Sequence, residues 1–215
     1  MPPVQIRAIA ADGPKKRPTA GEIRVRIALD DGSETAVLAS TPERPRLWVE
    51  EGGGFSFGKP ALYLLDLSEA SIQAGARALA SDLGGYWLRY YNALGRGPAG
   101  KKPAKVVPVD TVHLATPEPA SGAPARSAVV EVKLKDGRLF SLLAATPACF
   151  EQSLAASGLR FYFGPCPLFL RDIQLELARR AVEEMSSHGD RWLCAYDTPR
   201  RTLPDVLTEF RSRHA

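Results

Sequence analysis

The chain has 215 residues, 45% of them hydrophobic, and its 28 basic and 24 acidic side chains give a net charge of +4. This length and apolar content allow one or two domains with cores of their own, whereas no apolar run approaches the ~20 residues of a membrane span. The first residues, MPPVQIRAIAADG, lack the pattern of a signal peptide, so we expect a soluble, cytoplasmic protein without membrane contact.

The first predicted elements are three strands and a short helix. Residues 4–10 are predicted as a strand, and in 22-EIRVRIAL-29 apolar and polar residues alternate as in a half-buried strand. The Asp31-Gly32 turn then leads to residues 35–40, which indicates a β-hairpin. Thr41-Pro42 predicts a helix start, and Pro45 predicts that this helix is short.

The next stretch, 55-FSFGKPALYLLDL-67, is predicted as one extended segment that bends at its glycine and then resumes as a strand. Asp66 closes this strand and is predicted to cap the following helix. Apolar residues between 72 and 79 recur at helical spacing, and Gly84-Gly85 is predicted to end that helix. A final strand is predicted to carry Trp87 and Tyr91.

The same series recurs at an offset of 105 to 106 residues, and the clearest echo of the glycine motif is 161-FYFGPCPLFLRDI-173. The Asp-Gly turn returns at 136–137, the Thr-Pro helix start at 146–147, and 87-WLRYYN-92 matches 192-WLCAYD-197. Self-similarity that keeps its order over so long a stretch predicts an internal duplication.

The predicted fold class is therefore α+β, with two tandem copies of a small mixed module of order β-β-β-α-β-α-β, related by an internal pseudo-twofold. The expected boundaries are residues 1–94 for the first repeat, 95–107 for a basic Gly/Pro/Lys connector, 108–199 for the second repeat and 200–215 for a basic C-terminal tail. We expect a monomer with a pseudo-dimeric body, or a weak homo-oligomer.

The positive charge lies outside the two repeats. Residues 3–94 contain 11 basic and 11 acidic side chains, and residues 108–199 contain 9 basic and 11 acidic ones. Nucleic-acid contacts to phosphate would therefore come from the connector and the tail. Their candidate residues are Arg96, Lys101, Lys102, Lys105, Arg200 and Arg201.

Four repeated aromatic residues complete the set of candidate contact residues: Trp87, Tyr91, Trp192 and Tyr196. On strands they could stack on nucleic-acid bases or form an apolar contact with another protein. Packing inside the core is the structural alternative.

Catalytic patterns are missing from the sequence. The three histidines lack metal spacing and a nucleophile–base arrangement, and Cys149, Cys166 and Cys194 lack CxxC spacing and are expected as free thiols. Neither phosphate-binding glycine motif occurs. We therefore predict no catalytic residue, no metal and no cofactor.

Three functional hypotheses follow. The favoured one is a non-enzymatic binding or assembly protein whose partner is a protein. The alternative is single-strand nucleic-acid binding through the basic connector, the basic tail and the aromatic strands. An enzyme with one active repeat is the third, and nothing in the residues assigns it a reaction.

Overall fold

The computed structural model describes residues 5–12, 21–57, 61–95, 106, 108–115, 126–188, 193, 196–198 and 200–214. In the first half of the chain the elements are β1 (Ile6–Ala11), β2 (Glu22–Leu29), β3 (Glu34–Ser40), α1 (Arg44–Glu51), β4 (Phe55–Ser56), β5 (Ala61–Leu64), α2 (Glu69–Ser81), a 3-10 turn (Asp82–Gly84) and α3 (Tyr86–Gly95). In the second half they are β6 (Val109–Ala115), β7 (Ser127–Leu134), β8 (Leu139–Ala145), α4 (Pro147–Ala156), β9 (Phe161–Tyr162), β10 (Leu168–Leu170), α5 (Leu175–Ser187) and the final helix α6 (Leu203–His214).

The fold is mixed α+β, with two mixed sheets. Sheet A has the order β1-β2-β3-β5-β9, and sheet B, read from its far edge, has the order β6-β7-β8-β10-β4. In each sheet the first three strands are antiparallel, the fourth runs parallel to the third, and the fifth is antiparallel to the fourth. Strands that match in sequence therefore occupy the same places in the two sheets.

The fifth strand of each sheet comes from the other half of the chain. In sheet A, Tyr63 of β5 pairs with Tyr162 of β9, and in sheet B, Phe169 of β10 pairs with Ser56 of β4. The glycine motif is thus two strands in different sheets, and the single bent strand that the sequence predicted is wrong. The alternation of apolar residues could not reveal this, because it says which face of a strand is buried but not which sheet the strand joins.

Helix starts follow their local sequence. The Thr146 hydroxyl accepts a hydrogen bond from the Cys149 N–H at 3.3 Å, and Pro147 occupies the first helical position of α4. In the first half, Thr41 does not cap α1. Its hydroxyl instead accepts a hydrogen bond from the Gly21 N–H at 2.8 Å, and α1 begins after Glu43 and spans eight residues.

The predicted cap Asp66 lies two residues before the residue that caps α2. Ser68 is the N-cap of α2, and its hydroxyl accepts a hydrogen bond from the Ser71 N–H at 3.2 Å. Asp66 supports this cap, because its carboxylate accepts from the Ser68 N–H and from the Ser71 hydroxyl, each at 2.8 Å. In the second half α5 begins after Gln174, and the Asp172 carboxylate pairs with Arg171.

The element that carries Trp87 and Tyr91 is the helix α3, so the predicted final strand is wrong. Leu193 and Tyr196 of the second half are also helical. A spacing of four residues puts two side chains on one face of either a strand or a helix, so this pair alone cannot distinguish the two. Leu88 and Tyr91, three residues apart and both buried, carry the helical signal.

The larger of two core clusters draws on both halves of the chain. The rings of Tyr63 and Phe150 lie 4.7 Å apart, and Phe169 lies 5.3 Å from Phe150. Strand β8 is buried on both faces, with Leu142 packed toward α5 and Leu143 packed toward the first half. Among the described residues, no helix is both long and apolar enough to cross a bilayer.

Candidate binding surfaces

Two of the aromatic residues predicted as contacts belong to the core. Tyr91 is 3% exposed and Tyr196 is 2% exposed, so neither ring is available for stacking on a ligand. The Tyr91 hydroxyl accepts from the Gly164 N–H at 3.0 Å and donates to the Gly164 carbonyl at 3.1 Å. Tyr91 therefore ties the first half to the loop after β9. Trp192 lies outside the described residues.

Trp87 belongs to an aromatic cluster at the start of α3. We call Leu83, Tyr86, Trp87 and Tyr90 the α3 patch. The Tyr86 and Tyr90 rings are stacked with centroids 5.9 Å apart, and Trp87 meets Tyr86 edge-on at 5.1 Å. Leu83 is 62% exposed and Tyr86 is 48% exposed, so the patch presents apolar surface to solvent.

The backbone before α3 turns Leu83 outward. Three successive residues, Leu83, Gly84 and Gly85, have positive φ angles of 47°, 63° and 80°. Glycine adopts this conformation readily, but a leucine pays a steric cost because its Cβ approaches the carbonyl oxygen. A strained and exposed leucine three residues before the exposed Tyr86 ring marks this turn as a candidate contact site.

The two basic candidate residues that the structure describes are in ion pairs. Arg200 pairs with Glu131 at 3.2 Å, and Arg201 pairs with Glu209. The segment predicted as a basic tail contains the helix α6, whose apolar side is buried in a core cluster that both halves share. The other basic candidates, Arg96, Lys101, Lys102 and Lys105, lie outside the described residues.

Helix α6 covers the surface of β9. The Phe210 ring lies 4.9 Å from Phe163 and 5.1 Å from Tyr162, and it is 1% exposed. At the end of the helix, Arg213 pairs with Asp82 at 2.9 Å. Asp82 is the residue that ends α2, so α6 spans from α4 across β9 to the end of α2.

A groove of about 470 Å³ lies at the matching place in the other half. We call it the β4 groove. Its described lining comes from the end of α1, from β4 and from one side of α5, and includes Glu51, Phe55, Ser56, Arg180 and Glu184. The Arg180 guanidinium lies over the Phe55 ring at 5.9 Å, which is a cation–π contact. Phe55 and Phe57 are stacked at 6.4 Å, as Phe161 and Phe163 are at 6.0 Å.

A second cavity, on the outer side of sheet B, brings together residue types that hydrolases use. Ser141, His113 and Asp197 all line it. Within the described part of the chain, Ser141 and His113 share no hydrogen bond, and the Asp197 carboxylate accepts from the Ser141 backbone N–H at 2.8 Å. Asp197 thus pairs with the edge of β8 instead of orienting a base.

The remaining groups to consider are the buried thiol of Cys166 and the side chains that could bind a metal ion. Burial raises the pKa of the Cys166 thiol to about 12, so it is not a thiolate at neutral pH. Over the residues that the structure places, no three His, Cys, Asp or Glu side chains come together to hold a metal ion. The α3 patch and the β4 groove are therefore the best candidate sites.

Comparison of the chain with protein families, with curated proteins and with solved structures finds no match.

Proposed function

We propose that this chain is a non-enzymatic binding or assembly protein, built from an internal duplication, whose partner is a protein. The observation that carries the proposal is the α3 patch, where the exposed Leu83 and Tyr86 lie on the turn and the first turn of α3, next in sequence to the half-buried Trp87 and Tyr90. Tyrosine and tryptophan are enriched in protein interfaces because they bury large apolar areas while keeping a polar group for hydrogen bonding.

The duplication is supported by the two sheets, which share strand order, strand directions and the position of an irregularity. That irregularity falls between Ile6 and Ala8 in sheet A and between Val109 and Thr111 in sheet B. A pseudo-twofold body of this kind corresponds to a homodimer joined into one chain. Such a chain can change one copy of a surface while the other keeps its structural role.

Single-strand nucleic-acid binding remains the alternative. Stacking would need exposed rings beside free cations, and Tyr91 and Tyr196 are buried while the guanidinium groups of Arg200 and Arg201 are in ion pairs. These contacts favour a protein partner over a phosphate backbone.

The test is affinity capture from the native host with three forms of the full chain. The wild type should retain one protein in near-stoichiometric amount. The double variant Leu83→Ser, Tyr86→Ser should lose it by about tenfold or more, because removing ~1.4 kcal/mol from an interface lowers affinity tenfold. Leu139→Ser is the matched control, since Leu139 is 73% exposed but lies on sheet B.

Capture that the double variant leaves unchanged would contradict the proposal, provided that circular dichroism shows the variant to be folded. A polarisation titration with labelled single-stranded DNA and RNA at low salt tests the alternative. Saturable binding of these oligonucleotides, with no protein captured, would favour nucleic acid as the partner.

A further inference from the structure

The two halves of the chain differ in what lies over their fifth strands. In sheet A, the surface of β9 is covered by α6, whose buried residues Leu203, Val206, Leu207 and Phe210 follow the i, i+3, i+4, i+7 spacing of a helix that packs on a groove. At the matching place on β4 in sheet B, the structure has the β4 groove, and none of the six described helices fills it.

Helix α6 is the described element that covers such a surface, and it does so on β9. Helix α6 follows the second half, so its counterpart at the offset of 105 residues is 98-PAGKKPAKVVPV-109. That sequence has prolines at 98, 103 and 108 and lacks the aromatic residue that Phe210 supplies, so it does not carry the pattern of an amphipathic helix. Of the described helices, α6 is the one that covers one of these two similar surfaces.

The β4 groove has the same aromatic floor as the surface of β9 that α6 covers, but different side chains form its walls. The stacked pair Phe55 and Phe57 matches Phe161 and Phe163, on which Phe210 rests. On the helix that forms the wall, Arg180 and Glu184 stand where α2 has alanines, at 74 and 78. The tyrosine at 162 is replaced by Ser56, which leaves volume in the floor.

The charges of the groove indicate the chemistry of its occupant. In its described lining, Glu51 and Glu184 stand against Arg180, and the Arg180 guanidinium is already placed over Phe55. At the covered surface, the basic last turn of α6 meets an acid, because Arg213 pairs with Asp82. In the β4 groove, Glu184 lies one turn before the end of α5, shares a hydrogen bond with His188 at 3.3 Å and is half exposed, so it is the acid that a basic last turn would meet.

We infer that the β4 groove binds an amphipathic helix of a partner protein, with the apolar spacing of α6, an aromatic residue at its fourth anchor position and a basic last turn. This inference rests on the proposed protein-binding function and deepens it, because it assigns a second contact surface and the kind of segment that it recognises. The anchor residue lies on the Phe57 ring, which matches Phe163, and the basic turn pairs with Glu184.

The test uses the full chain and a fluorescent peptide with the sequence of residues 200–215, which carries the required pattern. Its anisotropy should rise to saturation as the full chain is added, and a peptide with Phe210→Ala should lose this binding. In the full chain, Glu184→Lys should weaken peptide binding at least about fivefold by replacing attraction with repulsion. Glu183→Lys is the matched control, since Glu183 lies on the same helix, outside the groove lining, and should leave binding unchanged.

Three results would overturn the inference. The first is no peptide binding by the folded wild-type chain. The second is binding that Glu184→Lys leaves unchanged but Asp82→Asn alters, which would mean that the peptide displaces α6 from β9. The third is concentration-dependent self-association of the wild type, measured by sedimentation and removed by Glu184→Lys, which would make a second copy of this chain the occupant.

The proposed function and the helix-binding inference are tested by separate experiments. Loss of native partner capture on changing Leu83 and Tyr86, with no peptide binding in the β4 groove, would leave the α3 patch as the interface and remove only the helix-binding inference. Peptide binding without any captured protein partner would leave the β4 groove as a helix-binding surface and remove the α3 patch as the interface.

Discussion

Tyr63 and Tyr91 are both buried, but their hydroxyl groups have different surroundings. The Tyr63 hydroxyl has no hydrogen-bond partner among the described residues, whereas that of Tyr91 bonds to both the N–H and the carbonyl of Gly164. Burial raises the pKa of both phenols well above the ordinary value of 10, so both stay protonated at neutral pH.

We expect Tyr63→Phe to raise the free energy of unfolding by about 1 kcal/mol, because it removes an unsatisfied buried group. Tyr91→Phe should lower it by about 1–3 kcal/mol, because it leaves the Gly164 backbone groups without their partner. Urea unfolding followed by fluorescence measures both changes. A loss of stability in both variants would contradict the assigned contacts.

Asp66 gives a pH-dependent contribution to stability. Hydrogen bonds from Ser68, and then from Ser71, lower the pKa of Asp66 below its ordinary value of 3.8. The carboxylate form therefore stabilises the fold above that pH, and its contribution is lost as the pH falls through the folded-state pKa.

Asp66→Ala should lower the free energy of unfolding by about 1 kcal/mol at pH 7, as the loss of a helix-cap contact does. The difference from wild type should shrink as the pH is lowered from about 4, which denaturant unfolding at several pH values measures. Asp172→Ala is the matched control and should change stability by less than about 0.5 kcal/mol, as exposed substitutions do. A pH-independent loss in Asp66→Ala would argue against the ionised cap.

At the scale of elements, the loop between α1 and β4 directs the first half's short strand into the other sheet. A Cβ at Gly52 would lie 2.2 Å from the Phe55 carbonyl oxygen and 3.1 Å from that of Trp48, both backbone atoms. Gly53 has a φ of +71°, but a Cβ there would meet open space. The two adjacent glycines therefore serve different purposes, close approach and turn geometry.

Gly52→Ala should lower the free energy of unfolding by about 3 kcal/mol or more, because backbone atoms must move. Gly53→Ala should cost about 1–2 kcal/mol, the penalty of left-handed backbone for a residue with a Cβ. Thermal and denaturant unfolding of the two variants measure the difference. Equal losses would contradict the close approach at Gly52.

Elements with local signals could be predicted from the sequence, and those set by distant contacts could not. The Asp-Gly hairpins and the Thr146 start of α4 depend on residues that are neighbours in the chain. The exchange of β4 and β9 depends on pairings such as Tyr63 with Tyr162, about 100 residues apart. The burial of Tyr91 and Tyr196, unlike their spacing, depends on packing between elements.

At the scale of the whole molecule, the two halves hold each other together. Each sheet takes its fifth strand from the other half, and α6, at the end of the chain, packs in a core cluster that both halves share. Because these contacts include backbone pairing and a buried apolar helix face, they should persist when the chain is cut between α3 and β6.

A protease site inserted within residues 98–104 tests this expectation. After cleavage, the two fragments should co-elute on size exclusion in native buffer and separate only in denaturant. The first fragment expressed alone should aggregate, because the edge of β5 that pairs with β9 would be exposed. A protease site placed before residue 5, outside the described elements, is the control for cleavage conditions. Separation in native buffer would show that the exchanged strands contribute little.

The reciprocal exchange of β4 and β9 also imposes an order on biosynthesis. Strand β5 leaves the ribosome roughly 100 residues before its partner β9 is made, and at ~5–20 residues per second this leaves an open strand edge for on the order of 5–20 s. During that interval the nascent chain presents Leu62 and Tyr63, both fully buried in the finished fold. Translation speed and chaperone supply should therefore affect the yield of this protein more than that of one whose sheets each close within their own segment.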